Sequence, residues 1–482
     1  MKRPNILFIL ADQHRFCDLG CAGNDELRTP HLDALAREGA QFARAYSNCP
    51  VCVPARGTLL TGLHPLRHGA VANDVPVKAD VPSVAHVLKN AGYDTGYIGK
   101  WHLAGVPRDQ FIEKERRLGF DFWRVNNCNH DYMNYYYDDE SDARHFVAGY
   151  EPVVQTQLAL EYLDGREEVD RPWALYLSYA TPHPPYLRMP EEMAQAARAR
   201  APELTLRGNV TAFTDGGFVP PPGHYAYTPN SQKHGWQPHY DSMEELRENI
   251  AGAYGHIEAL DEQVGRILDH LRIEGRLDDT IVIFTSDHGD LLGSHGMCDK
   301  QTFYQESAHI PFLARWPGHI PVGQRDQLLG IADMAPTLLG LLGLALPGAV
   351  DGRDLSACLT NPAAPGPESL YFYNYVPAHN AWFRRQAVWR AATDGRYVYA
   401  TGEDGVPVAL YDLETDPLEL INLADRLPET QARLATALAD AVNRHDGFLP
   451  WQTLLYRAGL SDLWDVSQRH FGFPPIEDRY KS

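Results

Sequence analysis

The chain has 482 residues, of which 44% are hydrophobic, and this is enough to build one large globular domain and a smaller one. Its 63 acidic residues outnumber its 43 lysines and arginines, which gives a formal net charge of −20 at pH 7. Such an acidic surface argues against a nucleic acid or an anionic membrane as a partner. Any anionic small substrate therefore needs a local basic pocket.

An apolar run at residues 5–11 follows a basic N-terminus, as in a signal peptide. The run is too short for that interpretation, and it ends at Asp12 without a small-residue cleavage site. We therefore interpret it as a buried first strand. Since no stretch is long enough to span a bilayer, the sequence predicts a cytoplasmic protein.

Apolar runs of strand length alternate with amphipathic helical patterns over most of the chain. Strands are predicted at 6–10, 93–98, 173–179 and 280–285, and helices are predicted to begin beside Thr29, Ser83 and Ser242. This alternation predicts an α/β fold in which a large parallel or mixed sheet is sandwiched by helices on both faces.

A proline-rich segment at 361–367 predicts a boundary between a domain of residues 1–365 and a smaller one of residues 366–482. Downstream, strands are predicted at 370–373, 387–391, 397–400 and 408–411, followed by a helix at 429–441. These elements predict a small antiparallel sheet with a helix. Residues 200–240, which are rich in proline, aromatic residues and histidine, predict a long loop near the site.

Seven cysteines at irregular spacing predict no disulfide framework. Cys49 and Cys52 form a C-x-x-C, which leaves a redox function as a competing interpretation. Pro54 suits the first turn of a helix, so Cys52 is expected at or just before a helix N-terminus, where an anion is favoured. Arg56, one turn on, adds a guanidinium suited to sulfate or phosphate. The plain alternative is a buried structural cysteine.

Two pairs of polar residues follow predicted strands directly. Asp12 and Gln13 come after the first strand, and Asp287 and His288 come after the strand at 280–285. If these strands are neighbours, their carboxyl ends bring two carboxylates, an amide oxygen and an imidazole together. Such ligands suit a divalent cation such as Ca²⁺, Mg²⁺ or Mn²⁺, although acidic residues at strand ends also cap helices.

Further basic residues follow strands or the second polar pair. Lys100 and His102 come after the strand at 93–98, and prolines on both sides hold His183 in a stiff segment after the strand at 173–179. A stiff histidine near the site is a candidate general acid. Lys300 follows Asp287 and His288 within a short turn-rich stretch.

Taken in order, these motifs resemble the type I sulfatases of the alkaline phosphatase superfamily, and the resemblance covers most of the chain. It implies that a separate formylglycine-generating enzyme oxidises Cys52 to Cα-formylglycine, whose hydrate attacks a sulfate ester. The implied ligands of one cation, with Ca²⁺ expected, are Asp12, Gln13, residue 52, Asp287 and His288. The implied catalytic residues are Cys52 itself, Arg56 and Lys100 beside it, His102 at its hydroxyl, and His183 and Lys300 at the sulfate and the leaving oxygen.

Three positions differ from the pattern that is frequent in sulfatases: Gln13 replaces a second aspartate, His288 replaces an asparagine, and Ala55 replaces a serine. The glutamine and histidine are also similar to phosphonate monoester hydrolases and choline-sulfatase-like members of the superfamily. We therefore expect a sulfuric ester hydrolase. The alternative with the same nucleophile is a phosphonate monoester or phosphodiester hydrolase, and the alternative of another class is an unmatured, inactive sulfatase-like binding protein. The expected substrate is a small sulfated molecule, with carbohydrates included, and homo-oligomerisation stays open.

Overall fold

The computed structural model describes residues 3–166, 171–210, 242–378 and 387–469. The strands of its large sheet are β1 (Asn5–Asp12), β2 (Ala40–Tyr46), β3 (Asp94–Lys100), β4 (Phe122–Asn126), β5 (Asn134–Asp139), β6 (Arg144–Ala148), β7 (Trp173–Pro182), β8 (Thr280–Ser286), β9 (Phe312–Arg315) and β10 (Gly323–Gly330). The strands of its small sheet are β11 (Leu370–Asn374), β12 (Trp389–Thr393), β13 (Tyr397–Gly402) and β14 (Pro407–Asp412).

The α-helices of the described residues surround these sheets. They are α1 (Pro30–Glu38), α2 (Cys52–Thr61), α3 (Pro65–His68), α4 (Val84–Asn90), α5 (Glu151–Asp164), α6 (Glu191–Arg200), α7 (Met243–Ile273), α8 (Gln305–Ala308), α9 (Ile331–Leu341), α10 (Ser356–Thr360), α11 (Pro428–His445), α12 (Trp451–Arg457) and α13 (Ser461–Arg469). Short 3-10 turns lie at Gly20–Ala22, Lys114–Arg116 and Ala201–Glu203.

The large sheet has the strand order β10-β2-β9-β8-β1-β7-β3-β4-β5-β6. Strand β1 lies at its centre and pairs in parallel with β7 and β8, whereas β9, β5 and β6 pair in antiparallel fashion with their neighbours. The sheet is therefore mixed, and the predicted fold class is confirmed.

The continuous apolar run of β1 is explained by burial on both faces. Alternate side chains Ile6, Phe8 and Leu10 enter one hydrophobic cluster, and the intervening Leu7, Ile9 and Ala11 enter another. Helices α2, α4 and α9 supply side chains to the first cluster, and α1, α5 and α7 supply them to the second. Helices thus cover both faces of the sheet, as is usual for parallel strands.

The predicted helix starts are confirmed at all three positions. Helix α1 begins at Pro30, directly after Thr29. The hydroxyl oxygen of Ser83 accepts a hydrogen bond from the His86 N–H at the start of α4. Ser242 accepts one from the Glu245 N–H at 3.1 Å and so caps α7.

The small sheet is antiparallel in the order β11-β12-β13-β14, and α11 packs on it through Leu434 and Leu438. The strand predicted at 387–391 begins two residues later, at Trp389. The predicted small antiparallel sheet with a helix is therefore confirmed, and the division into two domains at residue 365 stays a prediction.

Several predicted features fall outside the described residues. These are most of the loop predicted at 200–240 and the end of the C-terminal tail. The sequence leaves two interpretations open for the aromatic residues and histidines of this loop, stacking on a sugar or aryl leaving group or packing within the loop: Phe213, Phe218, Tyr225, Tyr227, His234, Trp236 and His239. Among the described helices, none combines the length and the apolar character that a membrane span requires.

The central strand offers a test of the packing. Phe8 is 1% exposed and stacks on Tyr176 of β7 with ring centroids 4.7 Å apart. Phe8→Ala is expected to lower the free energy of unfolding by about 3–5 kcal/mol, because it opens a cavity in the core. Urea unfolding followed by circular dichroism measures this loss.

The matched control is Phe146→Ala, since Phe146 is 80% exposed on β6. This substitution is expected to leave the urea midpoint unchanged. An equal effect of the two substitutions would contradict the placement of β1 at the centre of the core.

Candidate active site

The carboxyl ends of β1 and β8 lie side by side. Their parallel register pairs Leu10 with Thr285 and Ala11 with Ser286, so the residues that follow each strand emerge at the same edge of the sheet. The N–H of Gln13 donates to Asp287 Oδ1 at 3.0 Å across this edge. The expected convergence of the two polar pairs is what the structure shows.

Four side chains meet at this edge: Asp12, Cys52, Asp287 and His288. Their ligand atoms all lie within 4.8 Å of one another, and all four residues are buried. The Cys52 Sγ lies 3.7 Å from Asp12 Oδ1 and 3.1 Å from His288 Nε2. We call these four residues the carboxylate–cysteine cluster.

Helix α2 brings Cys52 to the cluster from outside the sheet. The helix begins at Cys52, as Pro54 predicts, so the backbone N–H groups of its first turn lie beside the cluster. One of these groups, the N–H of Val53, donates a hydrogen bond to the side-chain oxygen of Asn73 at 3.1 Å. Every residue of α2 is buried, and Gly62 in the left-handed region ends the helix.

Arg56 and Lys100 neutralise the two carboxylates. The Arg56 guanidinium contacts Asp287 Oδ2 at 2.9 Å and Asp12 Oδ2 at 3.2 Å, and the Lys100 ammonium contacts Asp12 Oδ2 at 2.5 Å. Burial alone would raise the pKa of Asp12, but Lys100 and the other basic groups around it hold that pKa well below its usual range. Asp12 is therefore ionised at neutral pH.

Gln13 and Lys300 form a pair on another side of Cys52. The Lys300 ammonium donates to Gln13 Oε1 at 2.6 Å and lies 3.3 Å from the Cys52 Sγ. The Gln13 side-chain N–H group donates to Asp290, which fixes the amide with its oxygen towards Lys300. Both residues are buried, and each was expected at this site.

The environment of Cys52 keeps its thiol neutral. Burial and the neighbouring Asp12 carboxylate raise the pKa of this thiol to about 11, although Lys300 and Lys100 oppose the rise. A neutral thiol is a poor nucleophile. Cys52 in its encoded form is therefore not activated in the way that catalytic thiolates are.

His183 and His102 lie less directly on the cluster. His183 is half-buried, its Nδ1 donates to the Pro184 carbonyl at 2.7 Å, and its ring stacks on His130. Burial and Lys300 hold its pKa well below the usual range, while Asp12 acts in the opposite direction. His102 lies beside Asp74, with Nε2 3.8 Å from Oδ1, and its predicted contact with residue 52 stays a prediction.

Among the described residues, the site contacts that sequence reasoning missed include those of Asn73 at the start of α2, Asp74 beside His102, His130 on His183, Ser178 on Arg56 and Asp290 on Gln13. His130 follows β4, so the rule that found the other polar residues at strand ends applies to it as well. Because strand β4 was not predicted, His130 was not recognised as a polar residue that follows a strand.

The donors of this site fit one divalent cation. Asp12 and Asp287 offer carboxylate oxygens, Gln13 an amide oxygen and His288 an imidazole nitrogen, while residue 52 lies among them. Hard oxygen ligands of this kind suit Ca²⁺, Mg²⁺ or Mn²⁺, and the thiol of Cys52 is the donor least suited to such an ion. The side chains present are thus compatible with the expected ion.

Comparisons with known proteins identify the family of this chain. A family model described as "Sulfatase" matches residues 4–344, and one described as "N-sulphoglucosamine sulphohydrolase, C-terminal" matches residues 293–445. The first match covers more than half of the chain and contains every residue of the carboxylate–cysteine cluster.

Individual relatives are similar over most of the chain. An ulvan-active sulfatase of Formosa agariphila is 33% identical over 87% of this chain and 77% of its own length. An N-acetylglucosamine-6-O-sulfatase of Bacteroides thetaiotaomicron is 26% identical over 88% and 83%, respectively. The crystal structure of the yidJ protein of Bacteroides fragilis superimposes with a TM-score of 0.79 at 28% identity, covering 94% of this chain and 98% of that one. The chain therefore belongs to the sulfatase family, within the alkaline phosphatase superfamily, and is an enzyme of that family.

Proposed function

We propose that this protein hydrolyses a sulfate monoester with a formylglycine hydrate derived from Cys52. One observation carries the proposal: the Sγ of Cys52 lies within 3.1–3.7 Å of His288, Lys300 and Asp12, at the N-terminus of a buried helix. The side chain of residue 52 therefore lies close to residues that can bind a metal ion and to basic residues that can bind an anionic ester. Membership of the sulfatase family supports the same conclusion.

The chemistry requires that Cys52 be changed. Conversion replaces its CH₂–SH group by CH=O: sulfur leaves as hydrogen sulfide, an oxygen atom enters, and two electrons pass to an oxidant that a separate maturation enzyme employs. Water then adds to the aldehyde and gives two hydroxyls on one carbon. Oxygen is a better partner than sulfur for a hard cation, so the modified residue completes the donor set that the thiol does not.

The proposed reaction has two steps at residue 52. One hydroxyl loses its proton, and its oxygen forms a bond to sulfur while the bond from sulfur to the leaving oxygen breaks and the leaving oxygen takes up a proton. The second hydroxyl then loses its proton, its C–O bond becomes C=O, and the C–O bond to the sulfate group breaks, so that sulfate is expelled and water can hydrate the aldehyde again. A divalent cation bound by Asp12, Gln13, Asp287 and His288 would supply Lewis-acid chemistry that lowers the pKa of a hydroxyl.

The basic side chains have separate proposed roles. Arg56 forms salt bridges with both carboxylates and so orients them, and Lys100 contacts the same oxygen of Asp12 that Arg56 does. Lys300, at 3.3 Å from the Cys52 Sγ, would counter the charge of the bound sulfate. His183 would protonate the leaving oxygen, because a bound anion raises the pKa of a nearby imidazole. His102 stays assigned to the hydroxyl of residue 52 on the resemblance alone.

A second candidate is a phosphonate monoester or phosphodiester hydrolase that uses the same nucleophile. Gln13 and His288 favour this possibility, since both occur in the hydrolases of that kind that the sequence resembles. Arg56, Lys100 and Lys300 could hold either anion, so charge does not separate the two reactions. An unmatured binding protein is the remaining alternative, and the state of residue 52 decides it.

The names of two relatives indicate which class of sulfate ester to test first. One relative is named for activity on ulvan and another for the 6-O-sulfate of N-acetylglucosamine. We therefore propose sulfated carbohydrates as the first class of natural substrate to test.

The state of residue 52 tests the nucleophile. Protein produced together with a formylglycine-generating enzyme is expected to yield a peptide containing residue 52 that is about 18 Da lighter than the encoded one, from the exchange of CH₂–SH for CH=O. Cys52→Ala is expected to reduce turnover of an aryl sulfate by more than about a thousandfold without loss of fold.

Cys49→Ala is the matched control, because Cys49 is also a buried free cysteine and is the other half of the C-x-x-C. This variant should retain turnover. Normal turnover by purified Cys52→Ala would disprove the proposed nucleophile, and equal loss in both variants would favour the redox interpretation.

Asp287 tests the metal site. Asp287→Ala is expected to lose most of the bound divalent metal and the activity together, because it removes a ligand and leaves Arg56 with one carboxylate partner fewer. Metal content is measured by mass spectrometry of the dialysed protein. Asp333→Ala is the control, since Asp333 is a buried carboxylate away from this site that accepts hydrogen bonds from two backbone N–H groups, those of Gly330 at the start of α9 and of Arg353. Unchanged metal content in Asp287→Ala would remove this residue from the ligands.

A substrate panel separates the two candidate reactions. We expect kcat/KM for at least one ester among an aryl sulfate, sulfated sugars and choline sulfate to exceed that for an aryl phosphonate monoester by about tenfold or more, a difference within the range of specific sites. Inorganic sulfate as a competitive inhibitor checks that the same pocket is used. A reversed order of kcat/KM would assign the protein to the phosphonate hydrolases.

A further inference from the structure

His130 is a half-buried histidine to which neither the motifs nor the proposed reaction assigns a role. It follows β4 at the carboxyl end of the sheet and lies face to face with His183, with ring centroids 4.4 Å apart and ring planes inclined by 9°. Its Nε2 lies 3.4 Å from the Lys100 ammonium. His130 therefore contacts two of the basic residues of the site.

The contacts define which atom of each ring is protonated. Because an ammonium group only donates, Nε2 of His130 accepts from Lys100, and the proton of the neutral ring is on Nδ1. The Nδ1 of His183 donates to the Pro184 carbonyl at 2.7 Å, so its Nε2 is the nitrogen that can exchange a proton with a substrate.

The ring of His183 is thus restrained at one edge by Pro184 and across one face by His130. A single hydrogen bond at Nδ1 leaves the ring able to tilt about that bond, whereas a stacked neighbour fixes the plane. Burial and Lys100 hold the pKa of His130 well below its usual range, so the His130 ring is neutral. The stack therefore involves no repulsion between two charged imidazolium rings. General acid catalysis depends on such positioning, since the donor atom must reach the leaving oxygen at hydrogen-bond distance.

We propose that His130 is a positioning residue, whose stacked ring fixes the plane of His183 and so directs Nε2 towards the leaving-group oxygen. The inference rests on the proposed hydrolysis of sulfate esters, in which His183 is the acid. Stacking is the decisive contact, because Lys100 already has Asp12 as a partner at 2.5 Å and does not depend on His130.

Three substitutions at position 130 distinguish the contribution of the stacked ring from that of its acceptor nitrogen. His130→Phe keeps an aromatic ring without the acceptor, His130→Gln keeps a polar side chain without the ring, and His130→Ala removes both. His145→Ala is the matched control, because His145 is also a partly exposed histidine stacked on an aromatic ring, that of Tyr137, and it lies on the edge strand β6.

The readout is the dependence of the rate on the leaving group. For phenyl sulfate, whose poor leaving group needs a proton, His130→Ala and His130→Gln are expected to lower kcat/KM by about 10–100-fold, within the range of general acid catalysis. For 4-nitrophenyl sulfate, whose leaving group needs little assistance, the loss is expected to stay below about threefold. His130→Phe and His145→Ala should resemble the unaltered protein with both esters.

The imidazole resonances of His183, assigned with His183→Asn, give a second readout that does not require turnover. They are expected to shift in His130→Ala, because the ring current of the stacked neighbour is lost, and to stay in place in His145→Ala. If the unaltered matured protein cleaves no sulfate ester, the proposed function fails, and the resonances still decide whether the stack positions His183. Equal losses with both esters, retention of activity by His130→Gln but not by His130→Phe, or unmoved His183 resonances would each overturn the inference.

Discussion

The salt bridges of Arg56 to Asp12 and Asp287 are the interaction on which the rest of the site depends. Two carboxylates buried at the ends of neighbouring strands carry a large desolvation cost, and the guanidinium at 2.9 and 3.2 Å compensates it. These contacts join β1, α2 and β8, which are far apart in the sequence. Because Arg56 lies one turn after Cys52, the same contacts also fix where residue 52 meets the carboxylates.

This arrangement explains how an acidic protein can bind an anionic ester. The chain carries a formal net charge of −20, yet Arg56, Lys100 and Lys300 outnumber the two carboxylates of the carboxylate–cysteine cluster. A bound divalent cation would increase the local positive charge further. The N–H groups at the start of α2 lie on the same side, so charge and backbone dipoles act together on a bound anion.

Sequence reasoning located the site where an apolar run ends in a polar pair, because parallel strands place their carboxyl ends at one edge. Asp12, Gln13, Asp287 and His288 carry that signal directly, and Pro54 gives the start of α2. His130 was missed because it follows β4, and Phe122 and Arg124 make the pattern of this strand difficult to recognise in the sequence. The orientation of the Gln13 amide could not be predicted either, since it depends on Asp290 and Lys300 in a turn-rich segment without periodicity. The fold and the convergence of the candidate ligand residues could thus be predicted from local patterns, whereas contacts between loops required the structure.

The most direct test of the central claim is a crystal structure of the protein matured with a formylglycine-generating enzyme, with the cation located by its anomalous scattering. The account predicts one anomalous peak whose ligands are Asp12, Gln13, Asp287 and His288, with density for two hydroxyls on the side-chain carbon of residue 52 and one of them on the ion. A catalytically active crystal form in which residue 52 keeps its sulfur, or in which the ion lies away from these four side chains, would contradict it.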